Sequence, residues 1–186
     1  MPEEVALEDV MRDIKKYAKE IREGKIFVYP TDTIYGIGGN ANLKDVCEKI
    51  YKIKSRPKDK PLSVIAPSEE WIMENFDVSK YILRLYFPGP YTLLLKKKNK
   101  DFLSHASTSL YVGVRIPDHP ITILVNHAGV PLITTSANLS GYPPVSRYED
   151  LDERITMHAD YIIKGKCKFG KPSTIINPYT EEIIRK

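Results

Sequence analysis

Apolar residues near the start of the chain recur at three- and four-residue spacing, at Leu7, Val10, Ile14, Ala18 and Ile21, and Gly24 follows them. That period gathers the apolar side chains on one stripe of a helix, and the glycine marks its stop. Acids and bases balance between them, as on a solvated outer helix. Lys25–Tyr29 then reads as a short strand ended by Pro30. Past a glycine-rich loop, Asn42 and Asp45 read as a capping pair before Leu43, Val46, Cys47, Ile50 and Tyr51, the stripe of a second helix that stops before Pro57. Pro61–Ala66 has strand composition, Ser68 can cap a helix through about Asn75, and Val78–Phe87 predicts a helix closed by Pro88-Gly89-Pro90. Strands follow at Tyr91–Lys97, Tyr111–Ile116 and Pro131–Thr135, with a helix from near Pro120 between the last two. Arg147–Met157 predicts a helix, and Tyr161–Lys164, Ser173–Asn177 and Glu182–Arg185 short strands. Strands alternating with helices predict an α/β domain: a twisted sheet of mixed parallel and antiparallel strands with flanking helices. Without repeat, low-complexity tract or linker, residues 1–186 read as one domain.

Composition narrows the class. At 186 residues and 42% hydrophobic content, the chain can bury roughly 70% of its unfolded surface, so a core forms without disulfides or a structural metal. No apolar stretch approaches the roughly 20 residues of a membrane helix. The acidic N-terminus lacks the basic start and apolar run of a secretion signal, which predicts a cytoplasmic protein with no membrane partner. Cys47 and Cys167 have no CxxC and no histidine at ligand spacing, so neither a redox pair nor a metal site is expected, and Cys47 reads as core. The net charge of +4 says little until it is located. Residues 44–60 hold seven bases against three acids, a surplus equal to that of the whole chain. A second basic run, Lys96, Lys97, Lys98 and Lys100, follows the apolar segment Tyr91–Leu95.

Two nucleotide-binding patterns are present and fail on context. Gly36-Ile37-Gly38-Gly39-Asn40-Ala41 fits GxGxxA, yet a dinucleotide turn needs its first glycine at the strand end, and Pro30–Tyr35 intervenes. Gly165–Lys171 fits GxxxxGK, but Pro172 stands where the Mg²⁺-binding hydroxyl belongs, and a strand follows instead of a helix.

Four other segments place polar side chains beside a tight turn at the end of an apolar run. In Pro30–Gly36 two hydroxyls and a carboxylate follow a strand, as binding groups or as a self-satisfied turn. Lys54–Leu62 fixes Lys54, Arg56, Lys58 and Lys60 among prolines, a stiff presentation suited to a polyphosphate, or a solvated charge run. In Val112–Pro120, Arg115 interrupts an apolar strand and needs an anion, with Asp118 the nearby structural partner. Thr134–Gly141 sets hydroxyls and an amide where a strand gives way to a turn; they could hold a ribose, phosphate or carboxylate, or cap a helix.

PTDTIYG, KSRPKDKPL, FPGPYTLLL, VGVRIPDHP, TSANLSG and Ser173-Thr174-Ile175-Ile176 occur together in the order and approximate spacing of the YrdC/Sua5 family. The chain resembles that family from about Gly24 to Arg185. The resemblance implies a YrdC-like fold with a concave basic cavity and a threonylcarbamoyl-AMP synthase, a nucleotidyltransferase. Such enzymes make L-threonylcarbamoyladenylate from L-threonine, bicarbonate and ATP, releasing diphosphate, for the N6-threonylcarbamoyl modification of adenosine 37 in tRNA. It implies Lys54 and Arg56 as catalytic cations; Arg56, Lys60, Asn138, Ser146 and Arg185 as ATP contacts; and Thr33, Arg115, Ser136 and Ser173 around threonine, with Arg115 on its carboxylate. Mg²⁺ is expected to enter with ATP and not on a carboxylate cage of the protein. tRNA and a tRNA-threonylcarbamoyltransferase complex are implied as partners.

Three positions depart from the family pattern. Ile65 stands where many members have a histidine, and Tyr111 where a small hydroxyl residue is expected. The sequence ends at Lys186, which implies the short single-domain form. The competing reading is a YrdC-like module that binds RNA through its basic clusters without making an adenylate.

Overall fold

The computed structural model describes residues 1–186. The strands are β1 (Glu3–Ala6), β2 (Phe27–Tyr29), β3 (Gly36–Gly38), β4 (Val64–Ile65), β5 (Tyr91–Lys96), β6 (Tyr111–Arg115), β7 (Leu132–Ile133), β8 (Thr135–Ser136), β9 (Tyr161–Lys164), β10 (Thr174–Asn177) and β11 (Glu182–Arg185). The helices are α1 (Leu7–Arg12), α2 (Ile14–Arg22), α3 (Lys44–Ile53), α4 (Glu69–Asn75), α5 (Lys80–Tyr86), α6 (Ile121–Ala128) and α7 (Glu153–Thr156). The expected mixed pairing is present, shared between two sheets. One runs β1-β9-β2-β3-β8 and the other β11-β10-β5-β6-β4-β7.

Alternation along the strands splits the interior into two cores. Val28, Val64 and Ile133 enter a cluster of 30 buried residues. Their chain neighbours Tyr29, Ile65 and Leu132 point the other way, into a cluster of 15 that α2 and α6 cover with Ala18, Ile21, Leu124 and Val125. Cys47 lies in the larger core, as its sequence context predicts. No helix is long and apolar enough to cross a membrane.

Several boundaries differ from the sequence reading, each for a local reason. The N-terminal helix is two, broken at Asp13, whose amide still bonds Asp9 O at 3.0 Å. Before it, Glu3–Ala6 pairs in parallel with β9. Asn42 caps nothing: the N-cap of α3 is Leu43, without a side-chain bond, while Asn42 N donates to Asn40 Oδ1. Ser68 does cap α4, accepting from Trp71 N. The helix expected over 147–157 is a 3₁₀ turn at Tyr148–Asp150 followed by α7, because Leu151 is extended and Asp152 starts a new cap on Arg154 N.

Two differences shape the site. The glycine-rich segment contains a strand, β3, antiparallel to β2. Glycine is required there by close approach, since a Cβ at Gly38 would overlap the Ile133 carbonyl. The strand expected over 131–135 is two: β7 pairs with β4 and β8 with β3, so the chain crosses between the sheets at Thr134. Thr134 N bonds Ser63 O at 2.8 Å at that crossing. Both sheets therefore meet where the 134–136 hydroxyls lie.

Candidate active site

The loop after β2 folds on its own hydroxyls. Thr31 Oγ1 donates to Ile34 O at 2.8 Å and accepts from the amides of Thr33 and Ile34. It also lies 2.9 Å from Thr33 Oγ1. Since the Thr31 proton goes to Ile34 O, Thr33 donates to Thr31 and its own oxygen accepts from Arg115 Nη1 at 3.0 Å. A directed chain thus runs from the guanidinium through two threonines to the backbone.

Arg115 closes β6 almost fully buried. Its Nη2 lies 2.5 Å from Asp32 Oδ1, and Asp118 N donates to Asp32 Oδ2 at 3.0 Å. The anion that an arginine in an apolar strand demands is therefore Asp32, and the side chain of Asp118 pairs with Lys168 at 2.8 Å instead. Burial pulls the Arg115 pKa down, and the Asp32 charge opposes this. Arg115 Nε is buried without an acceptor. An unmade bond at a buried donor costs free energy that an incoming acceptor recovers.

The basic loop begins with the end of α3. Ser55 N bonds Lys52 O and Arg56 N bonds Tyr51 O, with Ser55 at φ +47°, a Schellman motif in which serine takes the left-handed position. This turn parts the four cations. Lys54 goes inward, its Nζ at 2.5 Å from both Ser136 O and Asn138 O and 3.1 Å from Asn138 Oδ1. Burial, and then the charge of Arg56, bring its pKa from 10.5 to about 8. Arg56 folds over its own loop, Nε to Lys60 O at 3.1 Å and Nη2 to Pro61 O at 2.9 Å. Lys58 pairs with Glu48 at 3.3 Å, and Lys60 is exposed.

Where the sheets meet, a cavity of about 270 Å³ opens, lined by 18 residues of which three are hydrophobic. Three lining residues are arginines, eight are serine or threonine, and none is acidic. Six expected site residues line it: Thr33, Arg56, Arg115, Ser136, Ser173 and Arg185. Arg185, in β11, donates to Ser173 O at 2.9 Å. Lys54, Lys60, Asn138 and Ser146 are absent from the lining. Lys54 and Asn138 instead hold the turn beneath it, where Asn138 Nδ2 also bonds Tyr142 O. Lys54 is thus a buried clamp, not a free loop cation. A polar, cationic cavity of this size suits a small anionic substrate carrying its own hydrogen-bonding groups.

A model of the Sua5/YciO/YrdC family, described as "Telomere recombination", matches residues 19–186. The chain belongs to this family. A Methanocaldococcus jannaschii member is 41% identical over 171 residues, 89% of this chain and 80% of its own. A Vibrio campbellii member named threonylcarbamoyl-AMP synthase is 30% identical over 186 residues, 95% of this chain and all of its own. The crystal structure of P. abyssi Sua5 complexed with L-threonine superposes with a TM-score of 0.82 at 29% identity, covering 95% of this chain and 54% of that one.

In this member of the Sua5/YciO/YrdC family, the two misleading glycine patterns have structural uses. Gly36 and Gly38 let β3 pack against Tyr29 and Ile133. Within the GxxxxGK segment, the amides of Lys168 and Phe169 bond Asp32 O and that of Gly170 bonds Thr33 O, tying it to the site loop. Ile65 is fully buried beside Arg115 in the β4–β6 pairing and does not line the cavity. Tyr111 is likewise outside it, edge-on to Tyr179. The Lys96–Lys100 run is not a uniform basic edge: Lys97 is 2% exposed with Nζ on Ser107 O at 3.0 Å, and Lys98 Nζ reaches Met73 O. The residue-level reading missed Ser63 and Thr92 as lining residues. Thr92 lies inside a quoted motif and Ser63 directly follows one, but both stand in strand-like runs where a hydroxyl carries no distinguishing signal.

Proposed function

We propose that this chain is a threonylcarbamoyl-AMP synthase that works in the cytoplasm on L-threonine, bicarbonate and ATP. The observation that carries the reading is the convergence of Thr33, Arg115, Ser136 and Ser173 on one acid-free cavity that Arg56 and Arg185 also line. In this reading the threonine amine adds to CO₂ with loss of a proton, or to bicarbonate with loss of water, and an oxygen of the resulting carbamate then attacks the α-phosphorus of ATP. The bond from the α-phosphorus to the bridging oxygen breaks, and diphosphate leaves. The chemistry needs orientation and neutralisation of phosphate charge more than a protein nucleophile.

Arg115, braced by Asp32 and Thr33, binds the threonine carboxylate, with its unpaired Nε–H as a further donor. Arg56 and Arg185, whose protein acceptors are neutral, face the phosphates. Lys54 fixes the 136–138 turn on which Ser136 meets the substrate. In this reading Mg²⁺ enters on the ATP phosphates, which is supported by the lack of any group of three or more His, Cys, Asp or Glu placed to hold an ion. The product serves tRNA modification, delivered to the tRNA-threonylcarbamoyltransferase machinery.

The test is diphosphate release with ATP, Mg²⁺, bicarbonate and L-threonine. Release that requires both threonine and bicarbonate is expected; release independent of either, or none, would overturn the reading.

A further inference from the structure

The six-stranded sheet presents a short row of small residues to the cavity floor. Ser63 lies just before β4, Gly113 within β6, Thr92 within β5 and Ser173 just before β10. Gly113 is the gap in this row. A Cβ there would overlap Ser63 Oγ and would lie 3.1 Å from Thr92 Cγ2. The serine hydroxyl and the threonine methyl thus close over the bare glycine from either side.

The orientation of Thr92 is fixed. Its Oγ1 lies 2.8 Å from Ser173 Oγ, which turns the hydroxyl toward β10 and leaves the methyl toward Gly113. Ser63 is placed by its carbonyl, which accepts from Thr134 N at 2.8 Å, while its hydroxyl engages no protein group and faces the cavity. A hydroxyl without a protein partner and an oriented methyl therefore flank the same glycine on the floor of the site.

Resting on the synthase reading, we infer that Ser63 and Thr92, set over Gly113, form the subsite that reads the side chain of the amino-acid substrate. Ser63 Oγ hydrogen-bonds its β-hydroxyl, and Thr92 Cγ2 packs against its β-methyl. The two contacts reject different analogues. Serine lacks the methyl, a difference that apolar contact discriminates by roughly 10- to 200-fold. Valine lacks the hydroxyl and leaves Ser63 without its partner, a larger penalty where the site is built to receive that hydroxyl.

The experiment measures diphosphate release with ATP, Mg²⁺ and bicarbonate, using threonine, serine or valine as the amino acid, for the native protein, Ser63→Ala and Thr92→Ser. Thr92→Ser keeps the bond to Ser173 and removes only the methyl, so the threonine-to-serine ratio of kcat/KM should fall about tenfold, mainly through threonine. Ser63→Ala should lower the threonine-to-valine ratio about tenfold or more. In both variants KM for ATP should stay within about twofold of native. Unchanged ratios, or a KM for ATP that rises in step with the loss, would overturn the subsite. Native protein that releases no diphosphate with any amino acid would instead overturn the synthase reading beneath it.

Discussion

Asp32 and Arg115 form an ion pair sealed from solvent, with side chains 0% and 6% exposed and Oδ1 2.5 Å from Nη2. Both carboxylate oxygens are engaged, the second by Asp118 N, so the charge is held by geometry as well as by its partner. Removing one member leaves the other charge buried and uncompensated, which costs about 3–5 kcal/mol. Asp32→Ala should therefore lose about that much stability in urea unfolding. Replacing both members by apolar residues, as Asp32→Leu with Arg115→Met, should recover most of the loss yet leave no threonine-dependent turnover. A double variant as unstable as Asp32→Ala would show that the packing here, and not the unpaired charge, sets the cost.

The seam between the sheets depends on the bare Cα of Gly38. Ile133 O lies against it and also accepts from Tyr29 OH at 2.7 Å, so the carbonyl cannot retreat without breaking that bond. Gly38→Ala should destabilise by about 3 kcal/mol, the upper end of ordinary overpacking. Gly129 supplies the contrast. It ends α6 at φ +68° with nothing within 4 Å of its virtual Cβ, so Gly129→Ala bears only the left-handed penalty of about 1–2 kcal/mol. An equal or smaller loss at Gly38 in parallel denaturation curves would mean that the seam opens freely.

Arg56 spends Nε and Nη2 on its own loop, which aims the rest of the guanidinium into the cavity at no further ordering cost. Arg56→Ala should lower kcat by about 10²- to 10³-fold, the scale for losing one preorganised donor. Circular dichroism should stay native. Arg56→Lys should recover less than a tenth of the activity, because an ammonium cannot hold both carbonyls and still face the phosphates. Near-native diphosphate release by the lysine variant would reduce Arg56 to a simple charge.

The sequence showed where polar groups follow apolar runs, and those loops do converge: Thr33, Arg115, Ser136 and Ser173 come from four separate segments. Periodicity located the helices well wherever a cap agreed with it, as at Ser68. It failed at β3 because glycines carry no apolar signal, and at Asp13 because both halves of the broken helix keep one stripe. Counting charge could not tell Lys54 from Arg56, two residues away, since the turn at Ser55 alone decides which points inward. Lys97 was hidden in the same way: a strand alternates its side chains, so one lysine of a basic run enters the interior.

Lys54 links that buried position to pH. Its ammonium holds Ser136 O and Asn138 O, and burial lowers its pKa from 10.5 to about 8. Above pH 8 the neutral amine retains two protons for its acceptors but loses the charge that strengthens each bond. The turn carrying Ser136 then loosens, and kcat/KM for threonine should fall along an alkaline limb near pH 8. Loss of the fold through this group cannot produce that limb. Between about pH 8 and 10.5 the unfolded chain binds a proton that the folded chain does not, so the titration of Lys54 raises stability with pH across that window. Activity and stability should therefore diverge there, seen by following turnover and urea midpoints on the same samples. Lys54→Met should lower kcat/KM for threonine at every pH and abolish the limb, since no proton remains to titrate. A limb that persists near pH 8 in an active Lys54→Met protein would assign it to another group.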